Sequence, residues 1–578
     1  MKNAITQRTK NLYANKIQDI CFAVLLLTGL LFSIWKCHIG LAGNDESFFL
    51  TIPLRFLQGD AMMLDEQQVS QMSGFLLIPF QLLFKLGVFG RTGMILAARY
   101  YYTLLHTAVA VILYVRLRQY GAATVIAVLA TYLFAPFNIM AYSYNSMGID
   151  ALEMSGVFWA TANRSRRDYL ISGAMLACAV LCCPYLAPLY FVFAVAGVAL
   201  RKKSDLFHFR SVLWVTAGIL PVAAAFFTFL FSRTDIRKMP LYWTWMKTDP
   251  EYFIYPFYKR LWDSFSEMVI PYGKLTTVIV LVLFAAVLLL CTKESVRVNR
   301  RESVLYVGCC LSLALEISLH FHSYEKNGSF YLFPLAFLGL ISYVLTKDKK
   351  KIRSVFYGLF VSGIAYEIAI SLTSDRCFYA VAMASVVPAF AGVLIAGNLL
   401  REMERRPAPK AVFSVLAALA MVCLIGNKAT YYCENPASMD LRKQYMIQSG
   451  PMKGLYTESL NYKTSVENIS EDLLYYKDKE PGTILFIAKE PWLYLQVTQH
   501  RSATYSAWIT DMDTHERLKA YYETNPKKVP QYIYCLKELH TLEQDPVLKS
   551  ALEHGYSKEE NDVSIKLENV NHAVKLLD

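Results

Sequence analysis

"GFLLIPFQLLFKLGVFG" (residues 74–90) is apolar and close to the length of a membrane span, and every later segment changes sides with it. Lys2, Arg8, Lys10 and Lys16 precede the run "ICFAVLLLTGLLFSIW" (20–35), which puts the start of the chain inside. Five basic clusters follow in short connectors: "RSRR" (164–167), "RKK" (201–203), "RVNRR" (297–301), "KDKKKIR" (347–353) and "RRPAPK" (405–410). If residues 74–90 span, all five clusters lie outside. If they re-enter or lie at the interface, all five lie inside. Lys and Arg in short loops favour the cytoplasmic side, so parity demotes the segment to an interfacial or re-entrant element.

Thirteen other apolar segments remain, near 20–36, 92–115, 121–139, 147–162, 168–183, 184–200, 211–232, 274–291, 303–321, 329–346, 353–372, 377–399 and 411–427. They are of the length that a hydrocarbon core of about 30 Å requires. The run 171–200 is broken by Pro184 and Pro188 and predicts two short helices meeting below the outer surface; one long bent helix would break the parity. No small-residue cleavage site follows the first run, which reads as a span and not as a removed leader. The spans leave two long outer loops, at about 37–91 and 233–273.

The 578 residues are 55% hydrophobic and only 18% charged, with a mean hydropathy of +0.31. That composition predicts a mostly α, polytopic transmembrane bundle. The net charge of +12 sits largely in the connectors, which argues against a nucleic-acid partner. The twelve cysteines include no CxxC pair, which argues against a zinc or thioredoxin-like site. Cys433 and Cys535 are a candidate disulfide. Residues 1–427 therefore read as the membrane module and 428–578 as a small outer α/β domain. In that domain "TILFIA" (483–488) and "QYIYCL" (531–536) read as strands, "ISEDLLYYK" (469–477) and "DTHERLKAYYE" (513–523) as helices, and "QHRSATYSAW" (499–508) as a polar stretch.

Ionisable groups inside spans are costly, and here they share a depth. Arg99, Asp150, Glu153, Glu316, His320 and Glu367 all fall in the outer halves of their spans, with Asn145, His322 and Tyr324 nearby. A water-accessible cavity opening outward accounts for them better than interfacial snorkelling does. The loop 233–273 interleaves Arg237, Lys238, Lys259 and Arg260 with Trp243, Trp245 and Tyr258. Cations neutralise phosphate and aromatic faces stack on sugars or lie against lipid, so the loop reads either as an aromatic belt or as a pocket for a phosphorylated lipid headgroup, with Arg99 as a further candidate contact to the donor's phosphate or sugar.

"NDESFFL" (44–50) places the carboxylates of Asp45 and Glu46 just after the first span. With "IPFQLLFKLGVFG", Arg99, "LYVRLRQYG" and "SYEKNGSFYLFPLAFLGL" (323–340), this layout resembles the GT-C superfamily of polytopic glycosyltransferases, over residues 20–200 above all. The superfamily includes the protein O-mannosyltransferases, the lipid A aminoarabinose transferase and oligosaccharyltransferase. The resemblance implies a sugar donor on a polyprenyl-phosphate carrier and a glycan, protein or lipid acceptor. It implies Asp45 as base, Glu46 as its orienting neighbour, and an inverting transfer. A second acidic motif is not evident, although Asp150 or Glu153 could stand in, so a divalent ion such as Mg or Mn is possible but not required. The setting reads as a bacterial plasma membrane, with the N-terminus cytoplasmic and the C-terminal domain outside. A polysaccharide polymerase or ligase and a lipid-linked-sugar flippase are the competing classes; no internal repeat supports the flippase.

Parity makes a direct prediction. In a cysteine-free background, Leu460→Cys should react with an impermeant thiol reagent from outside, and Lys350→Cys only after permeabilisation. Reversed labelling would place the outer loops on the wrong face.

Overall fold

The structure, a computed structural model, describes residues 2–41, 44–85, 92–200, 206–242, 256, 258–260, 262–263, 266, 274–290, 298–319, 328–373, 383–403, 405–433, 435–488, 490–507, 515–538, 545–570 and 576–577. Each of the thirteen expected apolar segments lies on a helix. They are α1 (Lys2–Lys36), α4 (Met94–Leu117), α5 (Ala122–Leu133), α6 (Tyr144–Ala160), α7 (Arg166–Cys182), α8 (Ala187–Ala199), α9 (Phe209–Phe231), α10 (Lys274–Leu290), α11 (Arg300–Leu319), α12 (Phe333–Leu345), α13 (Arg353–Thr373), α14 (Val386–Glu402) and α15 (Pro407–Thr430). Within the described residues, six of them are long and apolar enough to cross a membrane and four more are shorter apolar helices. Close crossings rest on glycine: a Cβ on Gly173 of α7 would meet Val215 O of α9 at 2.0 Å, and one on Gly392 of α14 would meet Leu335 O of α12 at 2.4 Å. Backbones approach this closely where neither helix carries a side chain.

Within the described residues, the segment that decides parity is not a span-length helix. Asn44–Gln58 (α2) and Gly74–Lys85 (α3) form a helical pair, with Gly74 against Ile52 and Phe56; residues 86–91 lie outside the described set. Twelve residues of α3 rise only about 18 Å. The prolines at 184 and 188 also act as read: Cys183 is extended, a single 3-10 turn follows, and α7 and α8 are separate helices.

Helix ends sort into two groups. At one end Arg116 pairs with Asp168, Tyr120 donates to Lys351 O (3.3 Å), Arg401 to Gln119 O (3.1 Å), Arg406 to Val298 O (3.0 Å), and Lys347 pairs with Glu302 (2.8 Å). Four of the five basic clusters therefore meet at one end of the bundle; "RKK" (201–203) lies outside the described residues. The first long loop and the C-terminal region occupy the other end, where Tyr456 N donates to His38 O (2.8 Å).

That C-terminal region is α/β. Its five-stranded sheet runs β2–β1–β3–β5–β4, formed by β1 (Thr483–Ile487), β2 (Arg501–Ser502), β3 (Tyr532–Leu536), β4 (Ser557–Glu560) and β5 (Ser564–Glu568). β1 is parallel to β2 and β3, while β3–β5 and β5–β4 are antiparallel. The central strands are buried on both faces, which is why they read as continuous apolar runs. Ile484, Phe486, Tyr532 and Tyr534 face one way and join Phe48, Phe56 and Phe80 in a single core. Leu485, Ile487, Ile533 and Cys535 face the other, against α17 (His515–Thr524) and α18 (Pro546–Glu553). The first helix of the domain, α16 (Leu460–Asp472), starts nine residues before its expected position because Ser459 caps Tyr462 N (3.1 Å). Cys433 and Cys535 are not joined in a disulfide, and Cys535 is buried in the central strand.

The docking is ionic as well as apolar. Arg55 on α2 holds Asp60 (2.8 Å) and Glu66 (2.7 Å), and donates to Thr504 O (2.7 Å). Lys528 reaches Asp60 from the C-terminal side, and Gln67 N donates to Tyr505 O (2.8 Å). All four charged side chains are buried. "QHRSATYSAW" is therefore an anchoring stretch, at least through its described residues to 507. The loop end of this knot puts the C-terminal region in direct contact with the module that carries Asp45.

Removing one member of a buried charge network strands its partners, at a cost of about 3–5 kcal/mol. Arg55→Met should lower the thermal unfolding midpoint of the purified protein by several degrees and open a protease site near residue 500. An unchanged midpoint and cleavage pattern would mean that the apolar core alone holds the domain.

Candidate functional site

The C-terminal end of α1 and the N-terminal ends of α2 and α4 meet at one side chain. Arg99 is completely buried on α4, and its guanidinium grips Glu46 through two bonds, Nε to Oε1 (2.6 Å) and Nη2 to Oε2 (2.7 Å). It also donates to Cys37 O (2.8 Å) and Gly40 O (3.0 Å) in the turn leaving α1. Tyr432 lies under it, 4.3 Å from ring centre to guanidinium carbon, and its hydroxyl donates to Glu46 Oε2 (3.1 Å). A buried charge of either sign is tolerable only with such a partner. Gly93 N and Ile95 N, at the start of α4, donate to Gly450 O (3.0 Å) and Pro451 O (3.1 Å), so the C-terminal region caps the helix that carries Arg99.

Asp45 and Glu46 share the first turn of α2, where the helix dipole favours carboxylates. Their environments differ. Glu46 is buried, whereas Asp45 is half-buried at the rim, with the Cys433 thiol 4.0 Å from its Oδ2.

A second cluster lies one helical turn and more below. Arg99, Tyr102 and His106 share one face of α4 at positions i, i+3 and i+7. His106 is stacked between Tyr102 (centroids 5.2 Å apart) and Tyr132 (5.4 Å), and its Nδ1 meets Asp150 Oδ1 at 2.8 Å. Tyr142 donates to the other oxygen of Asp150 (3.3 Å), and Thr131 to Glu153 Oε1 (3.4 Å). Tyr102, His106, Thr131, Ser146 and Asp150 line a small cavity.

Two lysines share this depth. Lys36 ends α1 and Lys428 lies in the last turn of α15, and both are buried. Lys36 Nζ donates to Ala429 O (3.4 Å), and Lys428 Nζ sits 5.9 Å from the centre of the Tyr132 ring.

The structure thus brings together Asp45, Glu46 and Arg99, and beneath them Asp150 and Glu153. Asn145 is buried beside Ser146 at the start of α6, and Glu316 is buried on α11. The cations of the second long loop are scattered. Arg237 and Lys238 are exposed in a turn after α9, Tyr258 is 75% exposed, and Lys259 is exposed. Arg260 donates to Leu372 O at the end of α13. Residues 243–255, with Trp243 and Trp245, lie outside the described residues, as do His320, His322 and Tyr324.

Lys36, His106, Lys428 and Tyr432 were not picked out from sequence. Their positions explain why. Lys36 and Lys428 each close an apolar run and look like interfacial lysines, and Tyr432 is far in sequence from Glu46. Only His106 carried a signal, the helical spacing from Arg99. Among the described residues no three His, Cys, Asp or Glu side chains converge as a metal site. Glu46 is held by Arg99 and Asp150 by His106, so the residues in view do not fit a divalent ion, and no step below is routed through one.

No protein-family model and no curated protein matches the chain. Among solved structures it is similar to ArnT from Cupriavidus metallidurans bound to undecaprenyl phosphate, over 96% of this chain and 98% of that one, at 11% identity and a TM-score of 0.45. It is also similar to the archaeal oligosaccharyltransferase AglB from Archaeoglobus fulgidus in complex with an inhibitory peptide and a dolichol-phosphate, over 95% of this chain and 74% of that one, at 13% identity and a TM-score of 0.40. At these values overall shape does not argue for shared chemistry.

The two carboxylates should respond oppositely to neutralisation. Glu46→Gln leaves the Arg99 charge buried without its counter-ion and should cost about 3–5 kcal/mol. Asp45→Asn, at the rim, should leave the unfolding midpoint within a degree or two of the parent. Equal midpoints for both variants would remove Glu46 from the framework.

Proposed function

We propose that the chain is a membrane glycosyltransferase that moves a sugar from a polyprenyl-phosphate-linked donor to an acceptor on the outer face of the plasma membrane. The carrying observation is the division within the acidic pair. Glu46 is consumed by Arg99 and Tyr432, and this fixes the first turn of α2 so that Asp45 stands at the rim. In this reading Arg99 and Glu46 hold the site and Asp45 does the chemistry.

The leaving group of such a donor departs as a phosphate anion, so the protein has two tasks. It must take a proton from the acceptor hydroxyl, and it must steady the charge growing on the phosphate. In a single inverting displacement the acceptor oxygen bonds to the anomeric carbon. The carbon–oxygen bond to phosphate breaks on the opposite face, its electron pair leaves with the phosphate, and the proton passes to the Asp45 carboxylate. Cations serve the second task; Arg237, Lys238 and Lys259 are exposed enough to meet a headgroup.

We place the N-terminus in the cytoplasm and residues 428–578 outside, because the basic connectors gather at the end of the bundle opposite the sheet. Residues 1–427 would hold the donor and residues 428–578 the acceptor, with Lys428 and Tyr432 reaching back into the bundle. The buried knot at Arg55 and the cap on α4 support a fixed acceptor side, since both tie that region to the loop bearing Asp45.

Asp45→Asn keeps shape and removes the base. Transfer of a labelled sugar from a purified polyprenyl-phosphate donor in nanodiscs should fall by about 10²–10⁴-fold, with donor affinity little changed. Near-normal turnover would pass the role to Asp150 or Glu153.

A further inference from the structure

Lys36 and Lys428 present a charge problem that the fold does not solve. Both are buried, at 0% and 2% exposure, at the outer ends of α1 and α15. Every other buried cation discussed above has a carboxylate: Arg99 has Glu46, Arg55 has Asp60 and Glu66, and Lys528 has Asp60. Among the described residues neither Lys36 nor Lys428 has one. The charges close enough to act on Lys36 are Arg99 and Lys428, both of the same sign as its own.

Helix C-termini offset part of this. Lys36 donates to one carbonyl at the end of α15, and both lysines lie in last turns, where the dipole favours cations by about 0.3–1 kcal/mol each. Leaving an ammonium in low dielectric without an anion costs far more than that. The neighbouring polar groups shown are the Tyr132 ring, whose hydroxyl lies 3.1 Å from Thr107 Oγ1, and the Cys37 thiol, which lies 3.3 Å from Thr103 Oγ1. Two ammonium groups, beside a guanidinium already in use, are suited to a dianion.

We propose that Lys36 and Lys428 form a phosphate-binding site, which takes the phosphate of the lipid carrier. The inference rests on the glycosyltransferase reading and moves the donor's phosphate from the exposed loop 233–273 to the ends of α1 and α15. An anion there lies within the bundle, where a lipid tail can remain among the helices. Charge neutralisation by the phosphate would then be strongest once the sugar has left and the second negative charge has formed, which stabilises departure of the leaving group.

The test is binding of a polyprenyl phosphate to the full chain in nanodiscs, with the uncharged polyprenol and inorganic phosphate as comparison probes. Lys36→Met and Lys428→Met keep side-chain length and remove charge. Each should weaken polyprenyl phosphate about 10- to 100-fold, as expected for a desolvated charge-assisted contact of about 1.5–3 kcal/mol, and leave polyprenol unchanged. Lys36→Arg and Lys428→Arg should keep most of the affinity. The parent's unfolding midpoint should rise with polyprenyl phosphate and not with polyprenol, a readout that needs no variant to fold. A rise with inorganic phosphate alone, and none with the lipid, would keep the anion site and remove the lipid carrier as its source. Tight binding by the parent that both methionine variants retain would overturn the lysine site while leaving the donor reading intact. A parent that binds neither probe would overturn both.

Discussion

The Arg99–Glu46 pair, with Tyr432 beneath it, is the contact on which the outer end of this protein depends. It joins three parts of the chain that lie far apart in sequence: the stretch from the turn after α1 to the start of α2, the second turn of α4, and the first residues past α15. A guanidinium without water has five donors to satisfy and one charge to balance. Glu46 supplies the charge, and two carbonyls and a ring supply most of the rest. Because the partner set is so specific, the three helix ends have one arrangement, and the position of Asp45 follows from it.

The second knot, around Arg55, does for the C-terminal region what Arg99 does for the helices. Arg55 sits near the end of α2 and Glu46 at its start, so one short helix carries both attachments. The sheet is thereby tied to the element that presents Asp45. Its apolar core is also continuous with that of the first loop, through Phe48 and Phe56 on one side and Phe486 and Tyr534 on the other.

Below these two knots, charge is handled differently. Asp150 has His106 and Tyr142, and among the described residues Glu153 has the Thr131 hydroxyl as its hydrogen-bond partner. Among the described residues Lys36 has a carbonyl beside it and Lys428 an aromatic ring, and neither has a carboxylate.

The sequence by itself determined the number and placing of the apolar helices, because hydrophobic length and the Lys/Arg asymmetry of connectors are local properties. It also determined the two central strands, whose unbroken apolar runs reflect burial on both faces, and the break at Pro184, which is a property of the proline ring. It placed Asp45 and Glu46 together just after the first span. Which of the two carboxylates is structural was decided only by the fold, since that depends on Arg99 and Tyr432 arriving from distant positions. The same holds for "QHRSATYSAW", polar in sequence and an anchor in the structure, and for Lys36 and Lys428. A lysine at the end of an apolar run is ordinary in one dimension. Its meaning changes when two such ends close on each other without a carboxylate between them, and only tertiary packing brings them there.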